Sequence, residues 1–128
     1  MAHDLARYHR QMLLPGFGED GQRKLLGSTA LVLGCGALGT VIADMLARAG
    51  VGHLVIVDRD FIELTNLQRQ VLFDEQDVAD AIPKAEAAKR KLSAINSPGN
   101  SHGDRRRRKP PQYRAICRGC RHHRRWRR

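Results

Sequence analysis

The feature that most constrains the fold is a continuous block from Thr29 to Asp58. Thr29-Ala30-Leu31-Val32-Leu33 is a brief apolar run bounded by glycine, which predicts a strand buried on both faces. Gly34-Cys35-Gly36-Ala37-Leu38-Gly39 follows without a gap. From there Leu38, Val41, Ile42, Met45, Leu46 and Ala49 recur at helical spacing, and Gly50 stands where a C-cap glycine belongs. His53-Leu54-Val55-Ile56-Val57 is a second apolar run that ends at Asp58. Strand, glycine turn, helix and strand make one βαβ unit, and the fold class that follows is α/β, a Rossmann-like nucleotide-binding domain.

The position of the glycines gives the loop its meaning. Gly34-x-Gly36-x-x-Gly39 sits between a strand and a helix, the context that a dinucleotide fingerprint requires. Gly34 permits the tight turn, Gly36 lets backbone approach a phosphate with no Cβ in the way, and Gly39 allows the helix to pack closely on the strand. The exposed N–H groups at the start of such a helix favour an anion. Asp58 ends the second strand 19 residues after Gly39, about where an acid accepts hydrogen bonds from ribose hydroxyls. To this point a nicotinamide dehydrogenase would have the same pattern.

The flanks organise around this unit. Residues 5–14 and 19–26 read as short helical pieces broken by Pro15-Gly16-Phe17-Gly18, so residues 1–28 form a helical lead-in arm. Arg59 to Ile82 is polar. Pro83 then suits the first turn of a helix in which Ala85, Ala88, Leu92 and Ile95 share one face. Lys89, Arg90 and Lys91 fall on its solvated side. Residues 29–97 are therefore the expected domain. A sheet of one or two strand pairs leaves an open edge, so its stability should be marginal.

Charge divides the chain at Ser97/Pro98. The net charge is +10, which by itself points to nucleic acid or a membrane surface. Residues 1–97 hold 11 Lys/Arg and 12 Asp/Glu, however, whereas residues 98–128 hold 12 Lys/Arg and only Asp104. The basicity belongs to the tail, which has too few apolar groups to offset its ordering entropy and is expected to be a disordered basic segment. No apolar stretch reaches the roughly 18 residues of a membrane span, and the start lacks a signal-peptide pattern. The three cysteines form no disulfide framework of the secreted kind. A cytoplasmic protein fits these features.

Thr65-Asn66-Leu67-Gln68-Arg69-Gln70 separates the nucleotide classes. Arg7-Tyr8-His9-Arg10-Gln11, the Gly34 to Gly39 loop, Asp58-x-Asp60, Asn66-Leu67-Gln68-Arg69-Gln70 and Pro83-Lys84 occur in an order and spacing that resembles the ThiF/MoeB/HesA family, bacterial relatives of ubiquitin-activating enzymes. The resemblance covers residues 7 to 97. It implies ATP in place of NAD, with a site of Gly34, Gly36, Ala37, Gly39, Asp58, Asn66, Arg69, Gln70, Lys84 and Arg10. In the family, Asp58 holds the ribose, while Asn66, Arg69 and Lys84 handle the triphosphate. Arg10 corresponds to an arginine that reaches the nucleotide across a homodimer interface. A guanidinium forking onto phosphate oxygens and a lysine adding a mobile point charge suit those roles. Ala37 stands where the family usually has a second glycine, and its methyl could slightly crowd the nucleotide. The implied reaction is ATP-dependent adenylation of the C-terminal glycine of a ubiquitin-like sulfur-carrier protein, for molybdopterin or thiamine synthesis. The family's Mg²⁺ ligand, its active-site cysteine and its zinc site lie downstream of position 97, so this chain is expected to be a truncated and inactive part. Cys35 belongs to the glycine loop and is not the catalytic cysteine.

Three readings compete for the tail. Arg105 to Lys109, with Tyr113 and Trp126, could bind polyanions nonspecifically, as a genuine arm of a nucleotide- or nucleic-acid-binding module. Cys117, Cys120, His122 and His123 could form a zinc site. The favoured reading is a frameshift: one base out of step, Lys109 to Arg128 is compatible with a helix and an apolar strand ending in an aspartate-rich turn, as the family has there. A nicotinamide oxidoreductase is the weakest alternative, because it has no use for Asn66-x-x-Arg69-Gln70.

Overall fold

A computed structural model describes residues 3–97 and 112–117 of the 128. A 3₁₀ turn, His3–Tyr8, leads into α1 (His9–Met12), then α2 (Gly18–Leu26), β1 (Thr29–Leu33), α3 (Ala37–Ala49) and β2 (His53–Asp58). After β2 come a 3₁₀ turn at Leu64–Asn66, α4 (Glu75–Ala79), α5 (Lys84–Ile95) and β3 (Gln112–Cys117). The strands form one parallel sheet in the order β1-β2-β3.

That order explains the packing. Parallel crossovers are right-handed as a rule, and with strands that step in one direction across the sheet this carries successive helices to the same face, where α3 and α5 touch each other and the strands. The core lies between that face and the helices. It holds Val32, Leu54 and Ile56 from the strands, Ala43 and Ala47 from α3, and Ala85, Ala88 and Leu92 from α5. Alternate side chains point the other way, and there the expectation for β1 fails. Leu31 and Leu33 are 62% and 74% exposed, so β1 is buried on one face only. A strand run with no polar alternation signals that both faces can be covered, but only topology decides whether a helix lies on each.

α3 departs from the expected face for a related reason. Leu38, Ile42 and Met45 are exposed, while Thr40, Ala43 and Ala47 face the sheet. Only small residues fit there, because Gly39 lies so close to the turn that a Cβ built on it would stand 1.9 Å from the Gly34 carbonyl oxygen. Of the larger apolar side chains, Leu46 packs against the core, while Leu38, Ile42 and Met45 line the outer side.

The lead-in arm is built into the domain. Gly50 ends α3 in a left-handed conformation, φ 92°, and the carbonyls just before it are met by side chains from elsewhere. Gln11 and Gln22 donate to the Ala49 oxygen at 2.7 and 3.0 Å. Asn96, at the end of α5, donates to the Ala47 oxygen at 2.7 Å and to the Tyr8 hydroxyl at 2.8 Å, and accepts from Arg7. The last carbonyls of a helix lack partners within it. Arm and α5 together supply them.

The polar stretch after β2 contains more structure than its composition suggests. Asp74 caps α4 by accepting from the Asp77 N–H at 3.1 Å, and Asp77 returns a bond to the Asp74 N–H at 2.9 Å. Lys91 of α5 pairs with both carboxylates. Its hydrogen bond to Asp74 holds that carboxyl below the usual range and its own ammonium above it. Part of the basic cluster is therefore committed to joining α4 and α5.

β3 corrects the reading of the tail as wholly without regular structure. Gln112–Cys117 run parallel to β2 with Leu54 opposite Tyr113 and Ile56 opposite Ala115, and Ala115 packs against the core. β2 would otherwise present an unpaired edge, and a six-residue run with Tyr113, Ala115 and Ile116 can fill it despite Arg114. The rest of the arginine-rich segment and the Cys120, His122 and His123 part of the zinc reading lie outside the described residues.

Candidate nucleotide site at the glycine loop

The site is built where β1 and β2 end. Gly34 takes the turn at φ 89°, a conformation that costs a residue with a Cβ roughly 1–2 kcal/mol. Its N–H donates to the Val57 carbonyl at 2.8 Å, which ties the turn to the end of β2. Gly36 is the residue before α3 and Ala37 its first residue, both at the helix N-terminus, with Ala37 exposed. A Cβ on Gly36 would meet nothing nearer than Gln70 Nε2 at 3.9 Å. The space above it is open. Gly39 lies one turn inside the helix and closes the packing against Gly34.

Asp58 is held from both sides. Its Oδ2 accepts the Cys35 N–H at 2.6 Å and its Oδ1 accepts the Asp60 N–H at 2.7 Å. A carboxylate fixed by two backbone donors still has lone pairs for a ligand hydroxyl. Cys35 itself is fully buried, and burial, with the neighbouring Asp58 charge, pushes its thiol up to about 12. It is a packing group with no nucleophilic character at neutral pH.

The remaining residues of the expected site are distributed in two sets. Lys84 starts α5 and its side chain is only 8% exposed, with Nζ 3.7 Å from Asp60 Oδ2. Its N–H donates to the Asp60 carbonyl at 2.9 Å, and the Asp60 N–H donates to Asp58 at 2.7 Å, which puts Lys84 in the same cluster as Asp58. Gln70 is also buried, its Nε2 3.9 Å from where a Cβ on Gly36 would stand, with an Oε1 that has no hydrogen-bond partner. Asn66 is buried and structural in part: its Oδ1 accepts the Glu63 N–H at 2.9 Å, a bond that does not use the amide nitrogen. Arg69 is exposed and its Nη1 donates to the Thr65 carbonyl at 3.0 Å. Arg10 is exposed on α1, and the structure does not join it to the glycine-loop cluster. Tyr8 and Gln11, its neighbours in the same motif, serve the arm's grip on α3.

Sequence reasoning passed over Asp60, which touches both Asp58 and Lys84. Its signal was present in Asp58-x-Asp60. Two surface depressions of about 370 Å³, one bounded by Leu14 to Asp20 and the other by Asp44, Arg48, Val71, Leu72 and Lys91, share no residue with the cluster. Among the described residues the cluster lies at the carboxyl ends of β1 and β2, the place where doubly wound α/β proteins bind ligands. No group of three or more His, Cys, Asp or Glu among them is placed to hold a metal ion. No described helix is long and apolar enough to cross a membrane.

Comparison with known proteins gives this site its context. The chain is 54% identical over 91 residues to the sulfur carrier protein ThiS adenylyltransferase of Bacillus subtilis, covering 71% of this chain and 27% of that protein. It is 44% identical over 93 residues to the molybdopterin-synthase adenylyltransferase of Escherichia coli, covering 73% and 36%. Among solved structures, Escherichia coli MccB with ATP superposes with a TM-score of 0.57 at 45% identity, over 59% of this chain and 22% of that one. The chain thus spans about a quarter to a third of the length of these curated relatives. The profile of the ThiF family matches residues 8–120, from Tyr8 in the arm to beyond β3, and the chain belongs to the ThiF family.

Proposed function

We propose that this chain binds ATP at the glycine loop and supplies the nucleotide-binding part of an adenylyltransferase. The observation that carries this reading is the grouping of the α3 N-terminus, the anchored Asp58 carboxylate and, through Asp60, the buried Lys84 cation at the carboxyl ends of β1 and β2. Asp58 accepts from ribose hydroxyls. The N–H groups of the loop beside Gly36 and Ala37 face the phosphates, with Asn66, Arg69 and Lys84 as further donors and Gln70 beside Gly36. Arg10, exposed on α1, serves the nucleotide of a second copy in a homodimer.

The reaction we assign to the family arrangement is attack by the C-terminal glycine carboxylate of a ubiquitin-like sulfur carrier on the α-phosphate, giving an acyl-adenylate and pyrophosphate. The contribution of these residues is positioning and neutralisation of phosphate charge. Mg²⁺ would add charge neutralisation when bound. The described residues offer it no ligand set. We therefore expect binding from this chain and little carrier-dependent pyrophosphate exchange.

Calorimetric titration of the chain with ATP, NAD and a short RNA tests the reading. ATP binding that is lost in Asp58→Ala supports it. Preference for NAD, or RNA binding that persists at high salt, would overturn it, since contacts with the phosphate backbone alone weaken steeply as salt rises.

A further inference from the structure

Asp60 faces the two charged residues of the site, Asp58 and Lys84, through three of its atoms, and its Oδ1 also lies 3.8 Å from Arg59 Nε on the exposed side. Its N–H donates to Asp58 Oδ1 at 2.7 Å. Its carbonyl accepts the Lys84 N–H at 2.9 Å, and beside that bond Phe61 and Pro83 form an antiparallel bridge. Its Oδ2 lies 3.7 Å from Lys84 Nζ. The backbone links set where α5 begins relative to the end of β2, and so where the Lys84 side chain starts.

The charge pair has an unusual division of exposure. Lys84 is 8% exposed in its side chain, and Asp60 is 59% exposed. A buried ammonium needs a compensating anion. At 3.7 Å the carboxylate supplies charge without a hydrogen bond, so it does not use the N–H donors of Lys84. A group that orients a cation and leaves its donors for another anion differs from one that merely neutralises it.

We propose that Asp60 is the positioning residue that sets Lys84 toward the phosphates of the bound nucleotide. This rests on the ATP-binding reading above. Asp60 itself touches neither phosphate nor ribose; it acts through Lys84 before the nucleotide arrives.

The test uses Asp60→Asn, which removes the charge and retains the backbone links, and measures dissociation constants for ATP and adenosine by calorimetry. ATP should weaken about fivefold, the size expected for coupling between contacting residues, while adenosine affinity stays unchanged. Asp60→Glu should restore most of the loss. In a Lys84→Met background, Asp60→Asn should have no further effect on ATP. ATP affinity that is unchanged or tighter in Asp60→Asn would overturn the proposal, as would an equal loss for adenosine or an effect that survives Lys84→Met. If the asparagine lowers the melting temperature, the ATP-to-adenosine ratio still decides, because partial unfolding weakens both ligands alike. Wild-type chain that binds no ATP would overturn this proposal together with the reading beneath it, whereas wild-type binding indifferent to Asp60→Asn would overturn this proposal alone.

Discussion

The three glycines of the loop should separate when each is replaced by alanine, because each meets a different obstacle. At Gly39 the new methyl would stand 1.9 Å from the Gly34 carbonyl oxygen and 2.9 Å from its carbon. Both are backbone atoms, so relief requires α3 to withdraw from β1 by more than an ångström, parting Ala43 and Ala47 from Val32, Leu54 and Ile56. Overpacking of this kind costs roughly 1–3 kcal/mol, and contact with immovable backbone puts Gly39→Ala at about 3 kcal/mol. A domain stable by about 5–15 kcal/mol would lose a large share of that, the more so with one sheet face uncovered. At Gly34 there is open space but φ is 89°. Strain of roughly 1–2 kcal/mol is partly offset by the lower unfolded-state entropy of alanine, and a loss of about 1 kcal/mol remains. At Gly36 there is neither clash nor strain, and stability should hold or rise slightly. Its methyl would instead occupy the space assigned to a phosphate, and losing one charge-assisted bond of about 1.5 kcal/mol weakens ATP about tenfold. Urea titration followed by far-ultraviolet circular dichroism gives the stabilities, and calorimetry gives the affinities. Gly39→Ala with an unchanged urea midpoint, or Gly36→Ala with unchanged ATP affinity, would refute the reasoning.

Three further outcomes are expected. Asn96→Ala removes the donor shared by the Tyr8 hydroxyl and the Ala47 carbonyl, the latter keeping its bond from the Gly50 N–H, and should cost about 1–2 kcal/mol in urea titration. Ala115→Asp sets an unpaired charge against the core if β3 is docked as described, and should destabilise by about 2 kcal/mol; an unchanged midpoint would argue against β3. Cys35 should resist alkylation at pH 9 in the folded Cys117→Ser, Cys120→Ser background and react once unfolded. Because the fold favours its neutral thiol, the stability this confers is complete below about pH 9 and declines as pH rises toward about 12.

Much of this fold could be read from local pattern. β1, the glycine turn, α3, β2 and α5 each announce themselves within a dozen residues through apolar period, capping glycine or proline. α4 could also have been found, since Asp74 and Asp77 stand three apart as reciprocal caps. What escaped is set by topology and by distant partners. Whether Leu31 and Leu33 are covered depends on strand order, and the apolar surround of α3 does not tell which side meets the sheet. Asn96 finds Tyr8 from 88 positions away. Gly52 is another such case: a Cβ there would lie 1.8 Å from the Leu26 carbonyl oxygen, a contact made by α2. β3 was hidden by its arginine-rich surroundings, because composition averaged over the tail conceals six residues that satisfy an open sheet edge. The candidate site was legible as a spaced set of residues, whereas the link made by Asp60 required coordinates.

The most direct test of the central claim is the affinity of the chain for ATP and adenosine, measured by calorimetry in wild type and in Arg69→Ala. The account predicts that ATP binds more tightly than adenosine, and that Arg69→Ala weakens ATP about tenfold through loss of a charge-assisted phosphate contact while adenosine affinity is unaltered. Equal affinities for ATP and adenosine, or an Arg69→Ala variant in which both fall together, would contradict the assignment of this site to a nucleoside triphosphate.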